Sequence, residues 1–278
     1  MLDRFEEFAD DLNHPEGVAW NPFDGKVWAG GEAGECYRVS LGGDVEEVAA
    51  TGGSMLGIAV DGRGRVYACD AGHGEIVRCD PATGTFEVYA RGPGGRDMAE
   101  PNVAAFGPDG TLYVTCSGEE RTEVVAIAPG GAETRTFTEA LPGYPNGMVV
   151  TPDASALLVI EATAQRVARV VLAPDGTAGE ITTFAEIPDT DADGLALDAD
   201  GGLWATLYRP DGLVRFDPDG REAERIDDHL ATVLEAPTNL TFVGADLDRA
   251  VVANVGGRHL LSIDLGVRGQ PLHYPEVP

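Results

Sequence analysis

Short runs rich in Val, Ile, Leu, Tyr and Trp alternate with clusters of Gly, Asp, Pro and Asn along the whole chain. Runs of this length, bounded by turn residues, predict β-strands joined by tight connections. Six turn clusters each lead into such a run: NPFDG into KVWAGG, DGRG into RVYACD, GPDG into TLYVTC, TPDAS into ALLVIEA, DADG into GLWATLY and GADLD into RAVVANV. Ahead of each turn stands a related opening, namely PEGVAW, SMLGIAV, PNVAAF, PNGMVV, ADGLAL and PTNLTF. Residues 17, 57, 103, 147, 194 and 240 align across these openings, 40 to 47 residues apart. A third run follows in most repeats (ECYRVSL, EIVRCD, LVRFD) and often a fourth (VEEVAA, FEVYA, ITTFA). Each repeat is therefore a four-stranded meander, and a period of roughly 45 residues is that of a propeller blade.

The expected architecture is all-β: one six-bladed β-propeller domain over residues 1–278, nearly free of helix. The last repeat offers only a weak outer strand in PLHY, whereas DRFEEFA near the N-terminus has no repeat of its own. Residues 3 to 9 are expected to complete the sixth blade and close the ring.

Composition narrows the function classes. With 47 acidic and 19 basic residues the formal charge is −28, which repels phosphate backbones and anionic lipid heads. Neither nucleic acid nor a membrane is expected as a partner. The acids are scattered and Lys26 is the one lysine, the mark of a solvated acidic surface that a salt-rich cytoplasm or a biased composition would equally produce. The start, MLDRFEEFADDL, carries no basic leader and no continuous apolar stretch, so a soluble, cytoplasmic protein is expected, a monomer or weak oligomer. Cys36, Cys69, Cys79 and Cys116 lie in strand-like runs without CxxC spacing and read as small core residues. Cys69 and Cys79 flank a hairpin, which leaves a cross-strand disulfide open.

The chemistry is expected where the openings meet. In a propeller the first strand of every blade lines the central channel, so the residues heading those strands approach one axis. The heads are Glu16, Ser54 or Met55, Asn102, Asn146, Asp193 and Asn239. An Asn before Gly is by itself a turn signal, but five blades of six present a carboxylate or carboxamide in register. Such oxygens, crowded and desolvated, stay unpaired or repel unless a cation sits between them. Oxygen ligation without His or Cys favours a hard divalent ion, Ca²⁺ first, with Mg²⁺ or Mn²⁺ as alternatives. The loops joining second to third strands fall at the same mouth and bring His73, Glu119, Tyr208 and Arg209 forward as substrate contacts.

PEGVAW, PNGMVV with a downstream VIEA, and ADGLALD with a downstream LWATLY together resemble the SMP-30/gluconolactonase/LRE (regucalcin-like) family along the whole chain. The resemblance implies a six-bladed propeller that hydrolyses small-molecule sugar lactones with one divalent cation at the channel mouth. It also implies Glu16, Asn146 and Asp193 as metal ligands and Asn102 as a substrate or metal contact. One departure stands out: Glu100 occupies the place of the family's substrate-binding arginine, and Asn102 is followed by Val103 instead of an acid. Arg96 or Arg209 are candidates to supply the lost contact.

The expected activity is metal-dependent opening of a lactone by water, with Asp193 as general base. A non-catalytic propeller scaffold around a structural ion is the alternative from another class, and a metal-dependent phosphotriesterase or arylesterase is a third reading. Nucleophilic chemistry has no support, since CSGEE and TGGSML lack the strand-turn-helix context of a nucleophile elbow. Gly-rich RGPGGRD precedes no helix pattern and is no phosphate cradle.

Overall fold

The computed structural model describes residues 1–278. Six four-stranded antiparallel sheets stand around one axis, a six-bladed β-propeller. The inner strands are Val18–Asn21, Met55–Val60, Pro101–Phe106, Pro145–Val150, Asp191–Leu197 and Pro237–Val243, each touching the next around a closed circle. Five blades run from inner to outer strand in chain order. The sixth takes its outer strand from the start of the chain: Glu6–Ala9 pairs with Leu260–Ile263, Glu6 opposite Ser262 and Glu7 opposite Leu261. The closing strand is shorter than expected, because Leu2–Arg4 forms a single 3-10 turn ahead of it. No helix is long and apolar enough to cross a membrane.

Residue choice follows position in the blade. The inner strand PNGMVV is buried along its whole length, whereas the outer strand VEEVAA is buried nowhere. Large side chains interlock in the core: Tyr67 meets the ring of Tyr89 in its own blade at 4.8 Å and that of Phe106 in the next blade at 5.0 Å, both edge to face, and Trp28 and Trp204 are fully buried. Such aromatic pairs add to the apolar area they bury. At the axis the opposite demand applies. A Cβ on Gly147 would overlap the Asp193 carbonyl, and one on Gly194 would lie 2.6 Å from the Thr238 carbonyl, so only glycine lets these strands approach.

All four cysteines are buried free thiols. Cys69 and Cys79 are not partners, since Cys69 stands opposite Ile76 and Cys79 opposite Val66. Cys36 and Cys79 share the core between the first two blades, and Cys69 and Cys116 share the next one.

PLHY forms no strand. The segment runs instead beneath the ring, at the end of the channel remote from the strand heads. Gln270 N–H donates to Leu197 O (2.9 Å), His273 Nε2 contacts Thr151 O (3.0 Å), and Gly62 N–H donates to Pro275 O (2.8 Å). Arg65 donates to Val277 O at 2.7 Å. Above this floor lies an axial cavity of about 100 Å³ walled by apolar side chains such as Trp20, Ile58, Phe106, Met148 and Phe242.

Candidate functional site

At the other mouth the strand heads meet. Four inner strands begin in the same way: His14, Glu100, Tyr144 and Ala236 take left-handed backbone (φ 45–59°) directly before Pro15, Pro101, Pro145 and Pro237. A non-glycine residue is costly there and persists only where its surroundings hold it. The turn of chain delivers the residue after each proline to the axis: Glu16, Asn102, Asn146 and, in the sixth blade, Thr238.

The sixth head is thus one residue earlier than the spacing suggested. Pairing slips between Pro237 and Asn239, and Asn239 Oδ1 accepts from Leu240 N–H. Thr238 closes the circle by donating its hydroxyl to Glu16 O at 2.8 Å. Hydroxyls on second strands brace other heads: Thr115 donates to Asn146 O (2.9 Å), Ser117 to Pro145 O (2.7 Å) and Thr206 to Thr238 O (2.9 Å). In the second blade the position facing Gly17 is Leu56, neither Ser54 nor Met55.

The side chains so placed are buried and unsatisfied. Glu16 Oε2, Asn102 Oδ1, Asn146 Oδ1 and Asp193 Oδ1 are sealed from solvent and accept no hydrogen bond. Buried polar atoms almost always have partners, so four orphan acceptors heading strands of one ring are a specific anomaly. Electrostatics agrees. Burial, reinforced by Asp193 and Glu100, drives the Glu16 carboxyl well above the usual carboxylate range. Burial alone pushes Asp193 up to about 8. Two carboxylates and two amide oxygens, all lacking donors, fit a hard cation. No three His, Cys, Asp or Glu side chains are grouped so that they alone could hold a metal ion, so such a site depends on its amide oxygens. Asp193 Oδ2 is not sealed in this way.

Two residues at this mouth escaped the sequence reading as a pair. Tyr144 Oη donates to Glu100 Oε1 at 2.9 Å. Burial, the Glu100 hydrogen bond and the charges of Glu100, Asp193 and Glu16 raise the Tyr144 hydroxyl pKa. Their available signal was the X-Pro-Asn context that they share.

The loop candidates sit farther out. His73 is exposed, and its Nδ1 lies 2.9 Å from Asp70 Oδ2, a hydrogen bond that raises its pKa. Glu119 is exposed at a turn. Arg209 lies over the Tyr208 ring, 4.8 Å from its centroid, and pairs with Asp211 at 3.0 Å. Arg96 is spent within the third blade, donating to both oxygens of buried Glu123. The ring gathers Glu16, Asn102, Asn146 and Asp193, and leaves His73, Glu119, Tyr208 and Arg209 at its rim.

The sequence profile described as the SMP-30/Gluconolactonase/LRE-like region matches residues 7–255. The chain belongs to the SMP-30/gluconolactonase/LRE-like family. Within that family it is 33% identical over 129 residues to a pentonolactonase of Haloferax volcanii, an alignment covering 45% of this chain and 42% of that relative's length. Two solved structures share the propeller. A gluconolactonase of Xanthomonas campestris superposes with a TM-score of 0.81 at 23% identity, covering 96% of this chain and 89% of the other. A regucalcin of Agrobacterium tumefaciens, described as a calcium-binding protein, gives 0.78 at 19% identity, covering 98% and 96%.

Proposed function

We propose that this SMP-30/gluconolactonase/LRE-like protein is a lactonase that opens a small-molecule lactone with water, using one divalent cation held by Glu16, Asn146 and Asp193. The carrying observation is the set of buried, partnerless oxygens at the channel mouth. A ring that leaves four acceptors unsatisfied costs stability on its own and gains only when something positive fills it. Lactonase names among its relatives support the reaction class. An oxygen-only donor set and the calcium-binding relative favour Ca²⁺.

When bound, the cation supplies Lewis-acid polarisation of the lactone carbonyl and charge to meet the developing oxyanion. The protein's part is placement and proton transfer. Asp193 offers Oδ1 to the cluster and has Oδ2 in reach of water, so it takes the proton of the attacking water. Asn102 presents its amide oxygen to the cation or to a substrate hydroxyl. The inner strands below exclude water from the far side, and the acidic surface repels the product carboxylate and hastens its release.

Acid release from a panel of sugar lactones, with and without chelator, tests the reaction. Activity is expected with Ca²⁺, Mg²⁺ or Mn²⁺ and absent with chelator. Metal-independent opening would overturn the mechanism. Ion binding without turnover on any lactone or aryl ester would replace it with a scaffold.

A further inference from the structure

Glu100 is a third carboxylate at the mouth, and no basic side chain neutralises it. No Arg, Lys or His lies within ion-pair distance of it, and its Oε2 accepts no hydrogen bond from the protein yet is not sealed from solvent. Nearby guanidinium groups are committed elsewhere: Arg96 to Glu123, and Arg166 to Glu161 at 2.5 Å. A divalent cation at Glu16 and Asp193 balances those two charges and leaves the third. The Tyr144 proton points to Glu100 Oε1, so what the phenol oxygen has left to offer is acceptor capacity. The half-buried Tyr144 ring adds a flat wall beside both groups.

Glu100 and the Tyr144 oxygen therefore offer acceptors and negative charge, and the one proton the pair holds is already shared between them. A substrate hydroxyl donates into this corner favourably; a carboxylate or phosphate meets uncompensated like charge. We propose that Glu100 and Tyr144 form a hydroxyl-binding subsite that selects neutral, polyhydroxylated lactones over lactones bearing a second negative charge, an inference that rests on the lactonase reading.

The test compares D-glucono-γ-lactone with D-glucaro-γ-lactone, which differ in a terminal hydroxymethyl against a carboxylate. The wild-type protein is expected to prefer the neutral lactone. In Glu100→Gln the preference should shrink by about 10- to 100-fold, the span of one hydrogen bond to a charged group, mainly through KM. Tyr144→Phe should shrink it by less, because the charge remains. A second measurement needs no turnover: calorimetric binding of the neutral D-gluconolactam should weaken in Glu100→Gln while Mn²⁺ still binds, showing that the ring is intact. An unchanged preference in Glu100→Gln, with wild-type activity present, overturns the subsite. If the wild-type protein opens neither lactone, the lactonase reading falls, and lactam binding alone decides the subsite: weakened binding upholds it and equal binding removes it.

Discussion

Asp193 and Asp198 belong to one stretch of the fifth blade, five residues apart, and both are buried. Asp198, at the floor, accepts from Asp200 N–H (3.0 Å), Gly202 N–H (2.8 Å) and Arg215 Nε (2.7 Å). Asp193, at the mouth, has an oxygen with no donor at all. The second blade repeats the floor pattern: Asp61 accepts from Arg63 and Arg65 N–H, the Arg65 guanidinium and Tyr67 Oη. The fold thus supplies these buried carboxylates with donors at the floor and leaves an oxygen of Glu16 and of Asp193 without one at the axis of the mouth. Burial and residue type are alike; the difference lies in what is left for a ligand to satisfy. A buried acid with a full set of donors stabilises the chain, and one without them is held in readiness for something outside it.

The sharpest break of this contrast is Asp193→Asn, which keeps an oxygen at the ring and removes the proposed proton acceptor. A loss of roughly 10²–10⁴-fold in kcat is expected, the usual worth of general base catalysis, with divalent ion still bound by calorimetry. Glu16→Gln, which also keeps an oxygen, should lose far less in kcat. Equal losses in the two variants would deny Asp193 its separate role.

Next in size is the pH dependence of the metal-free protein. The folded-state pKa of Asp193 is raised from 3.8 to about 8 by burial, so between those values the folded state keeps a proton that the unfolded chain has lost. Stability from this group is full below about pH 4 and declines as pH rises through about 8. Urea unfolding should show a drop on the order of several kcal/mol across that window. In the proposed site Ca²⁺ would bind the deprotonated ring, so its stabilising effect should grow with pH and cancel the drop. A metal-free Asp193→Asn protein should lose part of the slope and the Glu16→Gln, Asp193→Asn double variant most of it, because burial raises both carboxyls; if the double variant keeps the wild-type slope, the acidic surface and not the ring is responsible.

The repeats were legible because six openings must build one kind of strand: each needs a turn, a buried inner run and a small residue where strands crowd, and PEGVAW, PNGMVV and ADGLAL carry all three. Glu16, Asn102, Asn146 and Asp193 could be read for the same reason, since a residue heading an inner strand has one place to go. Asn239 misled because pairing slips by one residue in its strand, which periodicity does not register. Glu100 stood out as a departure, but its pairing with Tyr144 was hidden differently. Their direction depends on left-handed backbone before a proline, and a sequence shows the proline but not the sign of the preceding φ. PLHY has strand-like composition, yet Glu6–Ala9 already occupies the outer edge of the last blade and the segment crosses the floor instead.

At the floor the contrast reverses, with stability lost and chemistry kept. Asp198→Ala removes the acceptor from Arg215 and from two backbone N–H groups, and should cost about 3 kcal/mol in urea unfolding. Lactonase activity per folded molecule should stay within about two-fold, because the mouth is untouched.

The smallest effect tests whether the C-terminal segment belongs to the core or merely lies against it. Val277 is fully buried in the cluster that holds Tyr67, Phe106 and Leu112, and its carbonyl takes the Arg65 guanidinium. Val277→Ala leaves that backbone acceptor in place and deletes two methyl groups, so only packing changes. The expected cost is about 1–2 kcal/mol, since roughly 0.8 kcal/mol accompanies each buried methylene and the small void adds to it. Ion affinity and kcat should not move, because nothing in the oxygen ring contacts this residue. A stability change near zero would show that the segment lies on the floor without sealing it. A fall in ion affinity would show that floor and mouth are mechanically joined through the inner strands, and the division of labour between Asp193 and Asp198 would have to be given up.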